Sequence, residues 1–393
     1  MLVTLLIFLV MLSVLVLIHE LGHFLFARKY GIKVEEFGFG LPPRLWGVKK
    51  GETIYSINWL PIGGFVKMYG EDDAGSGKVT TSTKEEKSVS KSEKNRAFFA
   101  KPWKQRAMVV FAGVMMNTFL AILIFYTYMF VAGFHVELPL LSKHSFFGVT
   151  QSEKTAITVA EVSKDSPAAK VGIPPLARLV SINQQQITSS DQFTHIVKES
   201  AGKPVQLTFT APKSNKTITK TLTPRVNPPK GQGAIGVSLF GMSTAVLDYK
   251  TPVQKIFSGI THPANLLVYN FDLIGELVRS AIKQHDATGL SQGVSGPVGI
   301  YSVVGTIVQI PDIKERVLEL LNLAGILSIS LAFFNVLPIP ALDGGRLFFI
   351  LIEGIFGKKV NPKYETLAHT IGMAVLLFLI VLVTFKDIFQ FFL

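Results

Sequence analysis

Four stretches of the chain stay apolar for the length of a bilayer crossing, and between them the pattern changes to alternation and to helical spacing. Residues 2–18 carry no charge, and the apolar character resumes at Leu21–Phe26 after His19 and Glu20. Residues 107–134 are also uncharged, residues 317–337 carry Glu319 near one end, and residues 366–385 form the fourth run. Each approaches the roughly 20 residues that a membrane-crossing helix needs. A secretory signal peptide would have a basic start and a small-residue cleavage site, so the first run predicts a retained helix instead. The fold class expected is a polytopic α-helical membrane protein with four transmembrane helices.

The intervening segments predict different elements. Residues 32–69 alternate apolar and polar positions, as in IKVEEF and TIYSINW, and predict β-hairpins lying next to the membrane. Residues 71–95 hold almost no large apolar side chain and read as a disordered linker, while RAFFAKPWKQR at 96–106 suits an interfacial segment. Short alternating strands recur over 155–225 around SPAA at 166–169, with a helical stretch near 190–200. VQKIFSGI and NLLVYNFDLIGELVRSAI predict amphipathic helices before SGPVG at 295–299. The resulting division is 1–30, 31–70, 71–95, 96–134, 150–240, 241–316, 317–345 and 346–393.

Composition agrees: 48% of residues are hydrophobic and only 17% charged, where soluble domains carry about a quarter. The absence of cysteine excludes disulfides, thiolate metal sites and a cysteine nucleophile. A net charge of +12 is compatible with nucleic acid, but 16 of the 39 basic residues fall within 28–106. That bias marks 28–106 as cytoplasmic, so the charge reports topology and no nucleic acid partner is expected. The N-terminus and 135–316 then lie outside, and 338–365, with Arg346, Lys358, Lys359 and Lys363, lies inside.

Against this background HELGH at 19–23 stands out. Positions i and i+4 share one helix face, so His19 and His23 can bind one Zn²⁺ with Glu20 beside them as general base. Ionisable groups in a span are expensive and mark function, the alternative being a cluster that snorkels to the interface. His135, His144, His195, His262, His285 and His369 have no such partner and read as surface or packing residues. A catalytic zinc takes three protein ligands, and the orientation puts Asp343 at the same membrane depth as the histidines. An Asp before Gly-Gly can otherwise be a turn or helix cap. Pro338 and Pro340 cannot continue a helix, so the backbone there is expected to be extended, able to pair with an unwound substrate.

HELGH in a first span, followed by NxxPxPxLDGG at 335–345, resembles the site-2 protease family of intramembrane zinc metalloproteases, most of all bacterial members with PDZ domains. The resemblance implies one Zn²⁺ per chain held by His19, His23 and Asp343, with Glu20 activating water. It implies single-span membrane proteins as substrates, such as anti-sigma factors or remnant signal peptides, and a place in the bacterial cytoplasmic membrane with the site near the cytoplasmic side. Asn117, four residues after Gly113, matches the family's second-helix asparagine, as substrate contact or interhelical glue; Val114 stands where many members have Pro. Asn335 matches an asparagine implicated in substrate handling, and Pro338 and Pro340 fall in the same motif. Gly38, Phe39 and Gly40 resemble the GFG of a re-entrant β-loop that steers the substrate strand, or else they belong to a peripheral sheet. SPAAKVGI and LVSINQQQI resemble a single, circularly permuted PDZ domain, inserted as an α+β unit, with Leu176-Ala177 in place of the usual Gly-Asp. Gly233, Ile235 and Gly236 would close its groove around a peptide or C-terminus; alternatively the domain only excludes bulky substrates. The rival readings are a zinc carrier or sensor and a membrane scaffold, neither of which needs Glu20.

Overall fold

The computed structural model describes residues 1–71, 95–140, 142, 144–211, 217–229, 231–284, 295–358 and 360–392. The linker expected at 71–95 falls, except for its two end residues, outside them. In chain order the elements are α1 (Leu2–Lys29), β1 (Val34–Lys50), β2 (Thr53–Met68), α2 (Trp103–Val131), β3 (His135–Leu140), β4 (Thr150–Val162), α3 (Pro167–Lys170), β5 (Arg178–Ile182), β6 (Gln185–Gln186), α4 (Ser190–Glu199), β7 (Val205–Thr210), β8 (Thr217–Leu222), β9 (Val237–Asp248), α5 (Pro252–Gln284), α6 (Pro297–Val308), α7 (Ile313–Val336), α8 (Asp343–Phe356) and α9 (Pro362–Phe392). They form two compact units, Met1–Gly133 with Ile256–Leu393, and Phe134–Lys255.

In the first unit α1, α2, α7 and the Lys363–Gln390 part of α9 are long and apolar enough to cross a membrane. Helix α1 runs unbroken through His19 and Glu20, as suits a helix that satisfies its own backbone where water is scarce. Helix α7 begins at Ile313, where the Asp312 side chain accepts from the Glu315 amide at 2.8 Å, an N-cap of ordinary strength. It stops at Val336, two residues before Pro338. The third span, expected over 317–337, is α7, and the LDGG end of the 317–345 division opens a separate helix, α8. The stretch from 346, expected as a connection, lies mostly inside α8, because RLFFILIEGIF has the amphipathic helical spacing that packs one face.

Small residues set how closely these helices approach, as is usual between membrane helices. A Cβ on Gly22 of α1 would lie 2.3 Å from the Ala112 carbonyl oxygen of α2, and one on Gly325 of α7 would lie 2.6 Å from the Phe125 ring of α2. The Ser328 hydroxyl of α7 donates to the Asn117 carbonyl at 2.8 Å. Buried Asp387 of α9 accepts from the Gly296 and Gly299 amides at 2.8 and 2.7 Å, capping α6 from a distant part of the chain.

Strands β1 and β2 are bent back on each other, so that Phe37 lies between Val66 and Tyr55, and Gly38 between Phe65 and Ser56. Their inner face packs on α1 through Phe24, Ala27, Ile32, Val34 and Met68, with Phe24 and Phe37 ring centroids 5.0 Å apart. Leu45, Trp46, Trp59 and Leu60 remain exposed.

The second unit has a sheet ordered β3-β9-β4-β5-β7-β8, with β6 paired to β5. It is wider than the 150–240 expected, and 241–248 belongs to β9 rather than to a helical spacer. The cause is long-range pairing: His135–Leu140 matches Ser243–Asp248 in antiparallel register. Alternation in β7 buries Val205, Leu207 and Phe209 against Phe193 and Val197 of α4. The turn at Leu176 forms without glycine, holding leucine at φ 63°. Phe209 is 1% exposed, so Phe209→Ala is expected to cost this unit about 3–5 kcal/mol. Amide exchange over β7 in the intact chain measures it, and a loss below about 1 kcal/mol would mean that the site refills.

Candidate metal centre

The site is assembled from three elements. Helix α1 places His19 and His23 on one face, one turn apart and both buried. Helix α2 passes directly behind them at Gly113, where a Cβ would lie 2.5 Å from His23 Nε2 and 2.6 Å from His19 Cε1. The third element is the turn between α7 and α8, which delivers Asp343 as the first residue of α8. That turn folds back tightly on the helix it precedes. A Cβ on Gly344 would lie 1.9 Å from the Leu337 carbonyl oxygen, and one on Gly345 would lie 2.5 Å from that of Ile339. The two glycines after the aspartate are thus a packing requirement of the turn.

Asp343 Oδ2 lies 2.9 Å from His19 Nε2 and 3.2 Å from His23 Nε2, and the two Nε2 atoms are 3.2 Å apart. Among the described residues these three form the cluster able to hold a metal ion, with donor atoms within 4.8 Å of one another. The surroundings fix the imidazoles. His23 Nδ1 donates to the Val109 carbonyl at 2.9 Å, which leaves the Nε2 lone pair facing the cluster. His19 Nδ1 lies 3.3 Å from the buried Asn117 side-chain amide. The two ends of that amide are assigned by their surroundings. Turned so that Oδ1 accepts from Nδ1–H, it satisfies an oxygen otherwise without a partner and likewise leaves His19 Nε2 bare. Two imidazole lone pairs and a carboxylate oxygen then converge on one point, an arrangement that repels itself unless a cation stands between them. The residues therefore fit a zinc ion, in the number usual for catalytic sites.

Glu20 is partly buried and sits outside this triad. Its neighbour is Gly64 of β2, whose Cβ would lie 3.6 Å from Glu20 Cγ. The Ser13 hydroxyl of α1 donates to the Pro61 carbonyl at 3.1 Å, so β2 lies along this face of α1. Gly63 and Gly64 thus let β2 come up to α1 beside the Glu20 side chain. Gly38, Phe39 and Gly40 lie inside the sheet: Phe39 pairs with Gly64, a Cβ on Gly38 would meet the Phe65 ring at 2.4 Å, and Gly40 holds φ 79°.

The other candidates are placed as follows. Pro338 is exposed, and Leu337 before it is extended at ψ 144°. Asn335 is half-buried on the last turn of α7. Helix α2 is uninterrupted at Val114. Gly233, Ile235 and Gly236 belong to the other unit, where the carbonyls of Ile235 and Gly236 accept from Ala168 and Ser163, and Ile235 is 3% exposed. His369, read as a surface or packing residue, accepts the Ala341 amide at Nδ1. Nothing local in the sequence marked it, and Gly113, named there only to place Asn117, has its importance in a contact across helices.

A family profile described as peptidase family M50 matches residues 7–379. The chain is 35% identical over 376 residues to a Clostridium perfringens protein named as a candidate zinc metalloprotease, covering 96% of each. It is 28% identical over 454 residues to the regulator of sigma-W protease RasP of Bacillus subtilis, covering 99% of each. It is also 28% identical over 463 residues to the zinc metalloprotease RasP of Shouchella clausii, covering 99% of each. Among solved structures, the PDZ domain of an SdrC-like protein from Listeria monocytogenes matches with 22% identity and a TM-score of 0.19, covering 25% of this chain and 93% of that one.

Proposed function

This chain belongs to peptidase family M50, the site-2 protease family of zinc metalloproteases, and from that premise we propose that it hydrolyses peptide bonds within the spans of single-span membrane proteins. The observation that carries this reading is the His19–His23–Asp343 cluster, built partly on a helix apolar enough to cross a membrane. One Zn²⁺ per chain is held by these three side chains, and when bound it supplies Lewis acidity. Glu20 takes a proton from the attacking water and delivers it to the amine that leaves. The amide of Asn117 holds the His19 ring in one orientation. Gly63 and Gly64 let the substrate's unwound backbone lie as an added strand between β2, the Pro338–Pro340 turn and Glu20, and Asn335 and the Gly38–Gly40 segment border that path.

The basic residues of 28–106 favour an inner-membrane protein with the N-terminus and the Phe134–Lys255 unit outside and the site near the cytoplasmic side. The extracytoplasmic unit is PDZ-like and either captures a peptide end or admits only substrates already shortened. Anti-sigma factors and remnant signal peptides are the substrate classes, in keeping with the sigma-W regulator among the relatives.

Reconstituted with a single-span test protein, the chain is expected to give products whose new termini, read by mass spectrometry, fall inside the span. Metal stripping should bring cleavage to background, and one equivalent of Zn²⁺ per chain should restore it. Termini confined to the extramembrane parts, or cleavage that survives stripping, would overturn the proposal.

A further inference from the structure

We propose that His369, from the fourth apolar helix, is a positioning residue for Asp343. It would fix the turn that aims the third metal donor, an inference that rests on reading His19, His23 and Asp343 as ligands. The turn is unusual at Ala341, two residues before Asp343, where alanine holds φ 81°. That left-handed conformation costs a non-glycine residue about 1 kcal/mol or more and persists only where the surroundings impose it. Helix α9 imposes it from one face. The Ala341 amide donates to His369 Nδ1 at 3.0 Å, and one turn along α9 Gly372 lies so close that a Cβ would be 2.6 Å from the Pro340 carbonyl oxygen.

His369 is 2% exposed, with its ring centroid 5.8 Å from that of Phe349 of α8. Because Nδ1 accepts, the ring proton sits on Nε2. The imidazole is therefore an acceptor for a backbone amide next to the site, wedged between α8 and α9. The two histidine ligands come from α1 and lean on α2, whereas the aspartate is set by α9. A change in the seat of α9 would consequently be felt at one ligand of the three.

Two variants of the full chain separate acceptor from bulk. Asn carries Oδ1 as many bonds from Cα as His carries Nδ1, so His369→Asn keeps the acceptor, while His369→Leu keeps volume alone. Three quantities are read in detergent or nanodiscs: zinc affinity by chelator competition, and, on metal-stripped protein, amide exchange at Ala341 and the thermal midpoint. The leucine variant is expected to lose about 10–100-fold in zinc affinity and the asparagine variant less than about threefold. Exchange at Ala341 should be faster in the leucine variant alone, with the two midpoints alike. Wild-type zinc affinity in His369→Leu, equal losses in both variants, or a midpoint lowered only by leucine would overturn the proposal, the last two by making His369 a packing residue. A parent chain that binds no zinc, or an Asp343→Ala variant that binds it undiminished, would instead sink the metal-centre reading and this inference with it.

Discussion

Glu20→Gln is expected to leave zinc binding as it is and to slow cleavage by about 10²–10⁴-fold, the usual contribution of a positioned general base. The change preserves size and polarity but removes the ability to take up a proton. Retained zinc follows from the geometry, since the donors converge from His19, His23 and Asp343 while Glu20 stands outside their cluster. Retained folding is expected because the part of Glu20 beside Gly64 of β2 is its Cγ methylene, which glutamine keeps. Initial rates on a reconstituted single-span protein, with metal content assayed on the same samples, give the answer. A variant that cuts at the parent's rate removes the proton-transfer role and returns the zinc-carrier reading to contention. One that loses its zinc would make Glu20 part of the metal site, against the geometry.

What the sequence disclosed and what it withheld divide along the range of the interactions. The HELGH ligands are legible because one helical turn joins them, and the four spans because hydropathy is a local property. Asp343 could be reached only through topology and the resemblance of its motif, since 324 residues separate it from the His19 it contacts at 2.9 Å. The end of α7 was readable in Pro338 and Pro340, yet the start of α8 was hidden. Gly344 and Gly345 have poor helix propensity, and the nearness of the Leu337 and Ile339 carbonyls explains why glycine stands at both positions. The edges of the Phe134–Lys255 unit were missed for a related reason, because β3 is short and acquires its meaning from pairing with β9. Gly-Phe-Gly at 38–40 was noticed, but the sheet register that brings Gly64 rather than Gly38 to Glu20 could not be counted from alternation alone.

Gly113→Ala carries the largest effect expected from a single methyl group. An alanine in a helix interior ordinarily stabilises relative to glycine by about 0.5–1 kcal/mol. Gly275 of α5, where an added Cβ meets nothing within 4 Å, should show that ordinary gain and serves as the control. At Gly113 the methyl would lie 2.5–2.7 Å from atoms of both imidazoles, closer than van der Waals contact permits. Parting the helices to make room would open the close packing of Gly22 on the Ala112 carbonyl beside it. The rings cannot swing aside without breaking the His23–Val109 bond and the His19–Asn117 contact. The outcome is displacement of both histidine donors from their common point with Asp343. Zinc affinity should fall by at least about 100-fold, the upper end of what loss of supporting contacts does to a metal site. Cleavage at limiting zinc should fall with it, while the metal-stripped chain keeps its helical content. Chelator competition on the parent, Gly113→Ala and Gly275→Ala chains decides the matter. A Gly113→Ala protein that binds zinc like the control would mean that α1 and α2 can separate at this level, and that glycine here serves helix approach rather than the metal centre.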